Sequence, residues 1–419
     1  MSKGPKVVVD NTGFGDWQKE LIYGDSKRPL DLRENVYVIL KNHPTWKGRL
    51  AFDDFAQRVT LRDPPEIPGF PAGEWNSQHD LNFGLWSAQI MKCWFKNEKT
   101  IAQGVAMVAG ERRFHPVRDW FSKLEWDGIP RVDGWLTHCL GVEESDYSIL
   151  AGRFFMLNLV ARIHEPGCIC RSVLVLEGKQ NRGKSESLRA LAGEWFADSH
   201  LDLNTKDSFL QIQNVLLYEI QEMHAFSRAD VSRVKEFVSG REDRYRPPYA
   251  ARVISVKRQC VFSASTNEGV YLRDWSGNTR YCPVLTEACA PIDVERVVAW
   301  REQLFAEACA RHAKGERRHP TRAEEDKLFT PQQDERLVEH PWRWEIERWL
   351  DADIAGPNNR GRVTTSEILM DCLKFERAKL LDRHTQDVGR IMQALGWKRR
   401  RAAKGARGWY YERPQVRPE

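Results

Sequence analysis

The middle of the chain differs from both ends in how hydrophobic and polar residues alternate. Short, almost continuous apolar runs occur at residues 171–176, 214–218 and 259–265, and they are separated by helical patterns such as 148–163 and 185–192. Short apolar strands that alternate with helices are typical of a mostly parallel sheet covered on both faces. We therefore predict an α/β core at residues 116–330.

The N-terminal part has a less regular pattern. Residues 1–115 are rich in Trp, Pro and Gly, and the proline-rich run at 63–71 cannot be regular helix. Helical patterns are expected at 36–59 and 86–107. These features predict a small N-terminal accessory region.

The C-terminal part predicts a further small unit. Residues 316–340 are dense in charge and predict a linker or an exposed helix, so the unit is expected at residues 341–419. A capped helix begins near Thr364. A second helix places Val388, Ile391, Met392 and Leu395 on one face. Two strand-like segments around a glycine turn follow, and helix, helix and hairpin in this order indicate a winged helix. A packing module with a solvated basic hairpin is the alternative.

Composition and charge narrow the class of protein. The 419 residues are 41% hydrophobic and 29% charged, which is typical of a soluble protein. The sequence shows no apolar run that could span a bilayer and no signal core, so we expect a cytoplasmic protein without membrane association. The nine cysteines are scattered and are expected to be reduced. Residues 361–419 hold 14 Lys or Arg and 7 Asp or Glu, which suggests an anionic partner such as DNA.

A glycine-containing segment directly after the first apolar run matches the Walker A pattern, G-x-x-x-x-G-K-S. Its residues are Gly178, Lys179, Gln180, Asn181, Arg182, Gly183, Lys184 and Ser185. In such a loop, backbone N–H groups surround a phosphate, the lysine neutralises the β- and γ-phosphates, and the serine hydroxyl binds Mg²⁺. We therefore predict a P-loop ATPase that uses ATP and Mg²⁺.

Polar residues after the next two strands complete this prediction. Glu219 follows the second apolar run and is expected to bind Mg²⁺ or activate the attacking water, and Glu222 can share that work. Asn267 ends the third run and is expected to lie beside the γ-phosphate. One of the two acids is, in the simpler interpretation, only a solvated residue at a helix start.

Basic residues elsewhere predict contacts with a neighbouring subunit and with DNA. Arg280 is the first candidate for an arginine that reaches the nucleotide of a neighbouring subunit, and Arg273 is the second. A surface loop closed by pairs such as Asp243 with Arg246 is the alternative for the basic segment 235–252. The predicted DNA contacts are Lys235, Arg244, Arg246, Tyr249, Arg252, Arg390, Lys398, Arg399, Arg400, Arg401, Lys404 and Arg407.

Taken in order, these motifs resemble the virulence-associated protein E family of phages and mobile islands. The resemblance covers roughly residues 110–300 and includes Leu124-Glu-Trp-Asp-Gly-Ile-Pro-Arg-Val, the 177–185 segment, Tyr218-Glu-Ile-Gln-Glu, Asp243-Arg-Tyr-Arg-Pro-Pro-Tyr and Thr266-Asn-Glu-Gly-Val-Tyr-Leu-Arg-Asp. That family is in turn similar to superfamily 3 helicases of the AAA+ class.

The resemblance implies a replication ATPase that moves on DNA as a hexameric ring in a bacterial host cell. By position it implies Walker A at Lys184 and Ser185, an acidic pair at Glu219 and Glu222, and a sensor at Asn267. The segment 235–252 would then be a hairpin in the central pore, and Arg280 the arginine after the sensor. Two departures occur. The chain has Thr279-Arg280 where the family often has two arginines, and Asn181-Arg182 where a glycine is frequent.

Three functions therefore compete. The first is an ATP-driven DNA helicase or translocase for replication of a phage or mobile element. The second is a DNA-binding protein without motor activity, which ATP switches between assembly states at an origin or operator. The third, a small-molecule or polynucleotide kinase, fits poorly with the sensor residue and the basic C-terminus.

Overall fold

A computed structural model describes residues 16–25, 27–199, 208–221, 228–246, 253–272, 278–355, 361–401 and 408–413. The first part forms a small four-stranded sheet with helices packed against it. A 3-10 helix, Asp16–Glu20, precedes α1 (Arg33–Asn42), β1 (Leu50–Asp53), β2 (Arg58–Leu61), β3 (Gly73–Glu74), α2 (Ser77–Ile90), α3 (Glu98–Gly110) and β4 (Arg113–Phe114). The strand order is β3-β2-β1-β4. Trp46, Trp75 and Trp86 lie in its core, which explains the tryptophan-rich composition.

The prediction of a helix at 36–59 is wrong beyond residue 42. Helix α1 ends at Asn42, one residue before the His43-Pro44 pair, because a residue before proline disfavours helical backbone. The remainder forms strands β1 and β2, which pair antiparallel. The helix expected at 86–107 is two helices, because α3 begins anew where the Asn97 side chain caps the backbone N–H of Lys99.

A five-stranded parallel sheet forms the centre of the molecule. Its elements, in chain order, are α4 (Pro116–Phe121), α5 (Trp135–Leu140), α6 (Asp146–His164), β5 (Val173–Glu177), α7 (Lys184–Ala192), a 3-10 helix (Gly193–Trp195), β6 (Phe196–Ala197), α8 (Ser208–Gln211), β7 (Leu217–Ile220), α9 (Arg228–Val238), β8 (Glu242–Tyr245), β9 (Ile254–Lys257), β10 (Val261–Thr266), β11 (Tyr281–Leu285) and α10 (Val294–Ala313). The strand order is β11-β5-β10-β7-β6. The mixed α/β fold with a parallel sheet is thereby confirmed.

The sheet is covered on both faces, and strand β5 shows why. Leu174 and Leu176 join the hydrophobic core that contains residues of α6, α7 and α10. Val173 and Val175 point to the other side and pack in a core that contains residues of α9. Every residue of β5 is buried, so the strand appears in the sequence as a continuous apolar run.

The charged segment 316–340 is neither a linker nor an exposed helix along its whole length. It contains α11 (Arg322–Glu324), a π-helix (Glu325–Phe329) and α12 (Thr330–Glu335). Phe329 is buried in the core beside α6, and Gln333 donates a hydrogen bond to the backbone of Tyr281 in β11. This segment is therefore part of the central unit.

The C-terminal part has a hydrophobic core of its own. It consists of α13 (Arg343–Ala355), β12 (Arg362–Val363), α14 (Thr365–Glu367), a π-helix (Ile368–Cys372), a 3-10 helix (Arg377–Lys379), α15 (Asp382–Ala394), β13 (Lys398–Arg401) and β14 (Trp409–Glu412). The strands form an antiparallel sheet in the order β12-β14-β13. Val388, Ile391 and Met392 lie in the core as the helical pattern predicted.

Across the described ranges, no helix has both the length and the apolar composition that a bilayer span requires.

Candidate functional site

A sharp turn joins strand β5 to helix α7 at the carboxyl end of the sheet. Gly178 has a φ of +145°, and a Cβ there would lie 2.6 Å from the hydroxyl oxygen of Thr286. That hydroxyl donates a 2.7 Å hydrogen bond to the carbonyl oxygen of Glu177. Gly183, with a φ of +88°, is the residue directly before α7. Both positions require glycine, so the backbone can form an open loop in front of a helix N-terminus.

Lys184 is the first residue of α7, and its ammonium group lies inside this loop. It donates hydrogen bonds to the carbonyl oxygens of Gly178 at 2.7 Å and Lys179 at 2.6 Å, and to Oδ1 of Asn267 at 3.1 Å. The residue is 7% exposed. Burial lowers the pKa of this ammonium group, and the nearby Glu219 and Glu287 carboxylates oppose the shift. The chain thus holds a positive charge at the centre of the loop.

Ser185 and Glu219 form the second pair in the site. The Ser185 hydroxyl donates a 2.8 Å hydrogen bond to Oε1 of Glu219, which lies on strand β7. Glu219 is fully buried, and its Oε2 has no hydrogen-bond partner among the described residues. Burial raises the pKa of this carboxyl group, and the neighbouring Ser265 and Ser185 hydroxyls oppose the shift. A buried carboxyl oxygen without a donor suits a ligand that brings positive charge.

Asn267 enters the site from the strand between β5 and β7. Strand β10 pairs in parallel with both of them, and its last residue, Thr266, is level with Glu177. The carboxyl ends of three adjacent strands therefore meet here. The resulting cleft has a volume of about 490 Å³. Its lining residues are Gln180, Asn181, Arg182, Gly183, Lys184, Ser185, Glu186, Gln221, Ser265, Thr266 and Asn267. The sequence-predicted Lys184, Ser185, Glu219 and Asn267 are thus brought together, whereas Glu222 lies outside the described residues.

The donor set at this cleft fits Mg²⁺ together with phosphates. Within the described residues, no group of three or more His, Cys, Asp and Glu side chains is placed to hold a metal ion. Mg²⁺ commonly uses only one or two carboxylates and takes its remaining ligands from water and substrate phosphates. The Ser185 hydroxyl and the Glu219 carboxyl group supply that kind of incomplete protein shell.

An ion pair behind the loop was not predicted. Arg336, which directly follows α12, donates from Nε to Oε1 of Glu177 at 2.9 Å and from Nη2 to Oε2 at 3.0 Å. The side chains are 13% and 5% exposed, respectively. The carbonyl oxygen of Arg336 also accepts hydrogen bonds from the backbone N–H groups of Tyr271 and Leu272. The pair therefore connects the residue before the loop with the segment that follows Asn267.

Arg280 lies at the opposite end of the sheet from the loop of its own chain. Its carbonyl oxygen accepts a hydrogen bond from the N–H of Val173, the first residue of β5. Five-residue strands of this kind separate their ends by about 13 Å. Its Nε donates a 2.8 Å hydrogen bond to the Ser239 hydroxyl. Arg280 is not brought to the cleft of its own chain, and Arg273 lies outside the described residues.

The basic segment 235–252 includes strand β8, which pairs antiparallel with β9 just after the segment, and its residues differ in placement. Arg244 and Arg246 are exposed. Lys235 is only 6% exposed and lies with its ammonium 5.9 Å from the centre of the Tyr281 ring, so the structure does not support it as a DNA contact. Tyr249 and Arg252 lie outside the described residues.

The alternative interpretation of this segment, a surface loop closed by an ion pair of Asp243 with Arg246, named a different partner for Asp243. Asp243 pairs with Arg258, not with Arg246, and both side chains of this pair are almost completely buried. The pair fixes the base of the hairpin and leaves the arginines at positions 244 and 246 at the surface.

The C-terminal basic residues border a second cleft, between helix α15 and the hairpin β13–β14. It has a volume of about 900 Å³. The four residues of β13, Lys398, Arg399, Arg400 and Arg401, are exposed, and Arg390 is half-buried. Lys404 and Arg407 lie outside the described residues.

The fold and the site together define a mixed α/β protein with a polar cleft at the carboxyl edge of a parallel sheet. The model of the virulence-associated protein E-like domain matches residues 121–338. The chain therefore belongs to the virulence-associated protein E-like family, as its motifs indicated.

Comparison with individual proteins adds little to the family match. No curated protein matches the chain. One solved structure, the apo C-terminal region of NrS-1 (305–718), aligns at a TM-score of 0.45 and 12% identity, covering 87% of this chain and 95% of that one. The A form of the same region aligns at a TM-score of 0.45 and 13% identity, covering 92% and 100%, respectively.

Proposed function

We propose that this protein is an ATP-hydrolysing motor that acts on DNA during replication of a phage or mobile element. The observation that carries the proposal is that Lys184, Ser185 and Asn267 line one cleft, while the buried Glu219 carboxyl group accepts a hydrogen bond from Ser185. Lys184 and Ser185 begin the helix that follows β5, Glu219 lies on β7, and Asn267 directly follows β10, the strand between β5 and β7. A lysine, a hydroxyl, a carboxylate and an amide in this order are the parts that phosphoryl transfer from ATP requires.

The loop at 178–185 would act as a P-loop for the triphosphate of ATP. Phosphate oxygens would replace the carbonyl oxygens of Gly178 and Lys179 as acceptors for the Lys184 ammonium. The helix N-terminus at α7 adds N–H groups and a positive dipole end. Desolvation strengthens the attraction, because the Lys184 side chain is largely buried from water.

Glu219 and Asn267 would set up hydrolysis beside the terminal phosphate. Ser185 and Glu219 would hold Mg²⁺, which neutralises charge on the phosphates. Ionised Glu219 would also accept a proton from the attacking water or orient it, with Glu222 as a second candidate. The Asn267 amide oxygen accepts a hydrogen bond from Lys184, so the amide would be placed to orient a group at the end of the triphosphate.

An assembly of subunits would complete the ATP site. Arg280 lies too far from its own loop, but it lies at a sheet edge where it can serve the site of a neighbouring copy. We therefore propose a homo-oligomer, with a hexameric ring as the expected form. Mass photometry with ATP and single-stranded DNA should show hexamers, whereas monomers under all conditions would contradict this part.

DNA would be held at two places. Arg244 and Arg246 at the hairpin β8–β9, with Tyr249 and Arg252, would contact a single strand. The C-terminal unit has the order helix, strand, helix, helix, strand, strand of a winged helix, and its basic hairpin would contact phosphates.

The proposed division is an accessory region at 1–115, an ATPase core from 116 and a DNA-binding unit at 341–419. The packing of Arg336 supports extending the core from residue 330 to about 338.

Unwinding of a forked duplex tests motor function directly. The wild-type protein with ATP and Mg²⁺ is expected to release the labelled strand, and Lys184→Ala is expected to release none.

The second candidate function, an ATP-switched DNA-binding protein without motor activity, is favoured by the separate basic C-terminal unit. ATP-dependent DNA binding without any strand release would support this second function and contradict the first.

A further inference from the structure

The outer face of helix α15 carries two glutamines, whereas the neighbouring strand β13 consists of basic residues only. Its inner face packs Val388, Ile391 and Met392 into the core at 0% exposure. Its outer face carries Gln386, Arg390 and Gln393, which lie four and then three positions apart and so form one stripe along the helix. Among the described residues, neither glutamine side chain makes a hydrogen bond within the chain, and both are exposed.

This stripe faces a cleft with the charge that DNA requires. The lining of the 900 Å³ cleft is Thr385, Gln386, Gly389, Arg390, Gln393, Trp397, Lys398, Arg399, Arg400 and Tyr411, and it includes no carboxylate. Two acids lie behind it, Asp387 at 3.6 Å from Arg390 and Glu412 at 3.4 Å from Arg400. The four cations of the lining leave an excess of positive charge. The exposed strand β13 is therefore suited to contact the phosphates of a molecule whose other side helix α15 contacts.

Phosphate contacts alone would not require amide side chains. A carboxamide offers one donor and one acceptor side by side, which matches the N6 and N7 edge of adenine, and a guanidinium matches the O6 and N7 edge of guanine. These edges are accessible to a helix in the major groove, which is about 12 Å wide. From Gln386 to Gln393 the stripe rises about 10 Å along the helix, which is the length of about three base pairs.

We infer that helix α15 reads the base sequence of duplex DNA through Gln386, Arg390 and Gln393, and that the C-terminal unit selects a short site containing adenine and guanine. This inference rests on the proposed function, because it takes the C-terminal cleft to be a DNA-binding surface. It adds that the surface is sequence-specific and names the residues that carry the specificity. Residues of β13 would supply affinity for phosphates without specificity.

Selection from a library of duplexes with a randomised central segment, using the full-length chain, tests the inference. The wild-type protein should enrich a motif of about three or four base pairs. Gln386→Ala with Gln393→Ala should bind the enriched duplex about 10- to 100-fold more weakly and no better than a scrambled one. Gln89→Ala, an exposed glutamine on α2, is the matched control and should select the wild-type motif.

A second variant separates specificity from affinity. Arg399→Ala should weaken binding to enriched and scrambled duplexes equally and reduce the slope of log affinity against log salt by about 1. Binding of duplexes without an enriched motif, selective binding of single strands, or a motif unchanged in the double-glutamine variant would each overturn the inference and leave the motor proposal standing. Absence of all DNA binding would instead overturn the proposed function itself. Thermal melting of each variant checks that it is folded.

Discussion

Replacing Glu219 by glutamine separates the charge of the proposed catalytic site from its packing. The glutamine has nearly the same size and keeps an acceptor for the Ser185 hydroxyl, which lies 2.8 Å from Oε1 in the wild-type protein. The negative charge is lost, and the second carboxylate oxygen becomes an NH₂ group. Because that charge would hold Mg²⁺ and assist the attacking water, we expect the rate of ATP hydrolysis to fall by about 10²- to 10⁴-fold.

The same substitution is not expected to destabilise the nucleotide-free protein. A hydrogen bond to a charged group contributes about 1.5–3 kcal/mol, and Glu219→Gln weakens one such bond. Burial of an ion costs several kcal/mol, however, and the wild-type carboxylate is fully buried with one oxygen that has no partner among the described residues. The two effects nearly cancel, so the melting temperature at pH 7.5 should equal or exceed that of the wild type.

The difference in stability should depend on pH with a defined sign. Burial raises the pKa of Glu219 in the folded protein. The folded protein therefore binds this proton more tightly than the unfolded chain does. The stabilisation is complete below the unfolded pKa of about 4.3 and is lost as the pH rises through the folded pKa. Glu219→Gln lacks this titration, so its stability relative to the wild type should increase from pH 4.5 to pH 7.5.

Two assays check these expectations. Phosphate release at saturating ATP gives the rate, and thermal melting across the pH range gives the stability. Glu186→Gln is the matched control, because Glu186 lines the same cleft but is exposed on α7. Hydrolysis by Glu219→Gln at the wild-type rate would refute the catalytic role. A melting temperature several degrees below the wild type at pH 7.5 would instead show that the carboxylate is structural.

Three further variants test other parts of the account. Arg336→Ala leaves buried Glu177 without its partner and should lower the free energy of unfolding by about 3–5 kcal/mol. Arg336→Lys should lower it less. Equal melting temperatures for the wild type and both variants would contradict the importance of the pair. Gly178→Ala forces a side chain into a φ of +145° and against Thr286, so it should cost about 1–3 kcal/mol and weaken ATP binding, as measured by melting and by nucleotide titration. Arg280→Ala should lose about 10³- to 10⁵-fold in hydrolysis, and mixing it with Lys184→Ala should restore activity; a mixture as inactive as its components would argue against a role in a neighbouring site.

Elements that are uniform in their surroundings were predictable from the sequence. Helix α6 and strand β5 are buried along nearly their whole length, so their apolar runs identify them without knowledge of the neighbours. The cleft was predictable for a related reason. Lys184, Ser185, Glu219 and Asn267 directly follow strands or begin a helix, and parallel strands bring their carboxyl ends to one edge.

Strand β11 shows why other elements were not predictable. It contains Pro283, which argues against a strand in the middle of a sheet. Among the described strands it lies at the edge of the sheet and has β5 as its one neighbour, so the missing N–H group costs no ladder bond there. An edge position is a property of the assembled sheet, and no local pattern in the sequence records it.

Long-range pairs account for the remaining differences. Arg336 and Glu177 are 159 positions apart, so the charge density at 316–340 predicted solvent exposure where the fold has a buried pair. Lys235 was assigned to DNA from its basic surroundings, but the orientation of α9 turns it toward Tyr281. In both cases the sequence gives the residue type, but the direction in which the side chain points depends on the fold.

The rate of phosphate release from ATP with Mg²⁺, measured for the wild type and for Lys184→Ala with and without single-stranded DNA, shows whether the site around Lys184 hydrolyses ATP. The proposed function predicts that the wild-type protein hydrolyses ATP and does so faster with single-stranded DNA, and that Lys184→Ala shows no hydrolysis above background under either condition. A wild-type protein that hydrolyses no ATP with or without DNA, or a Lys184→Ala variant as active as the wild type, would contradict it.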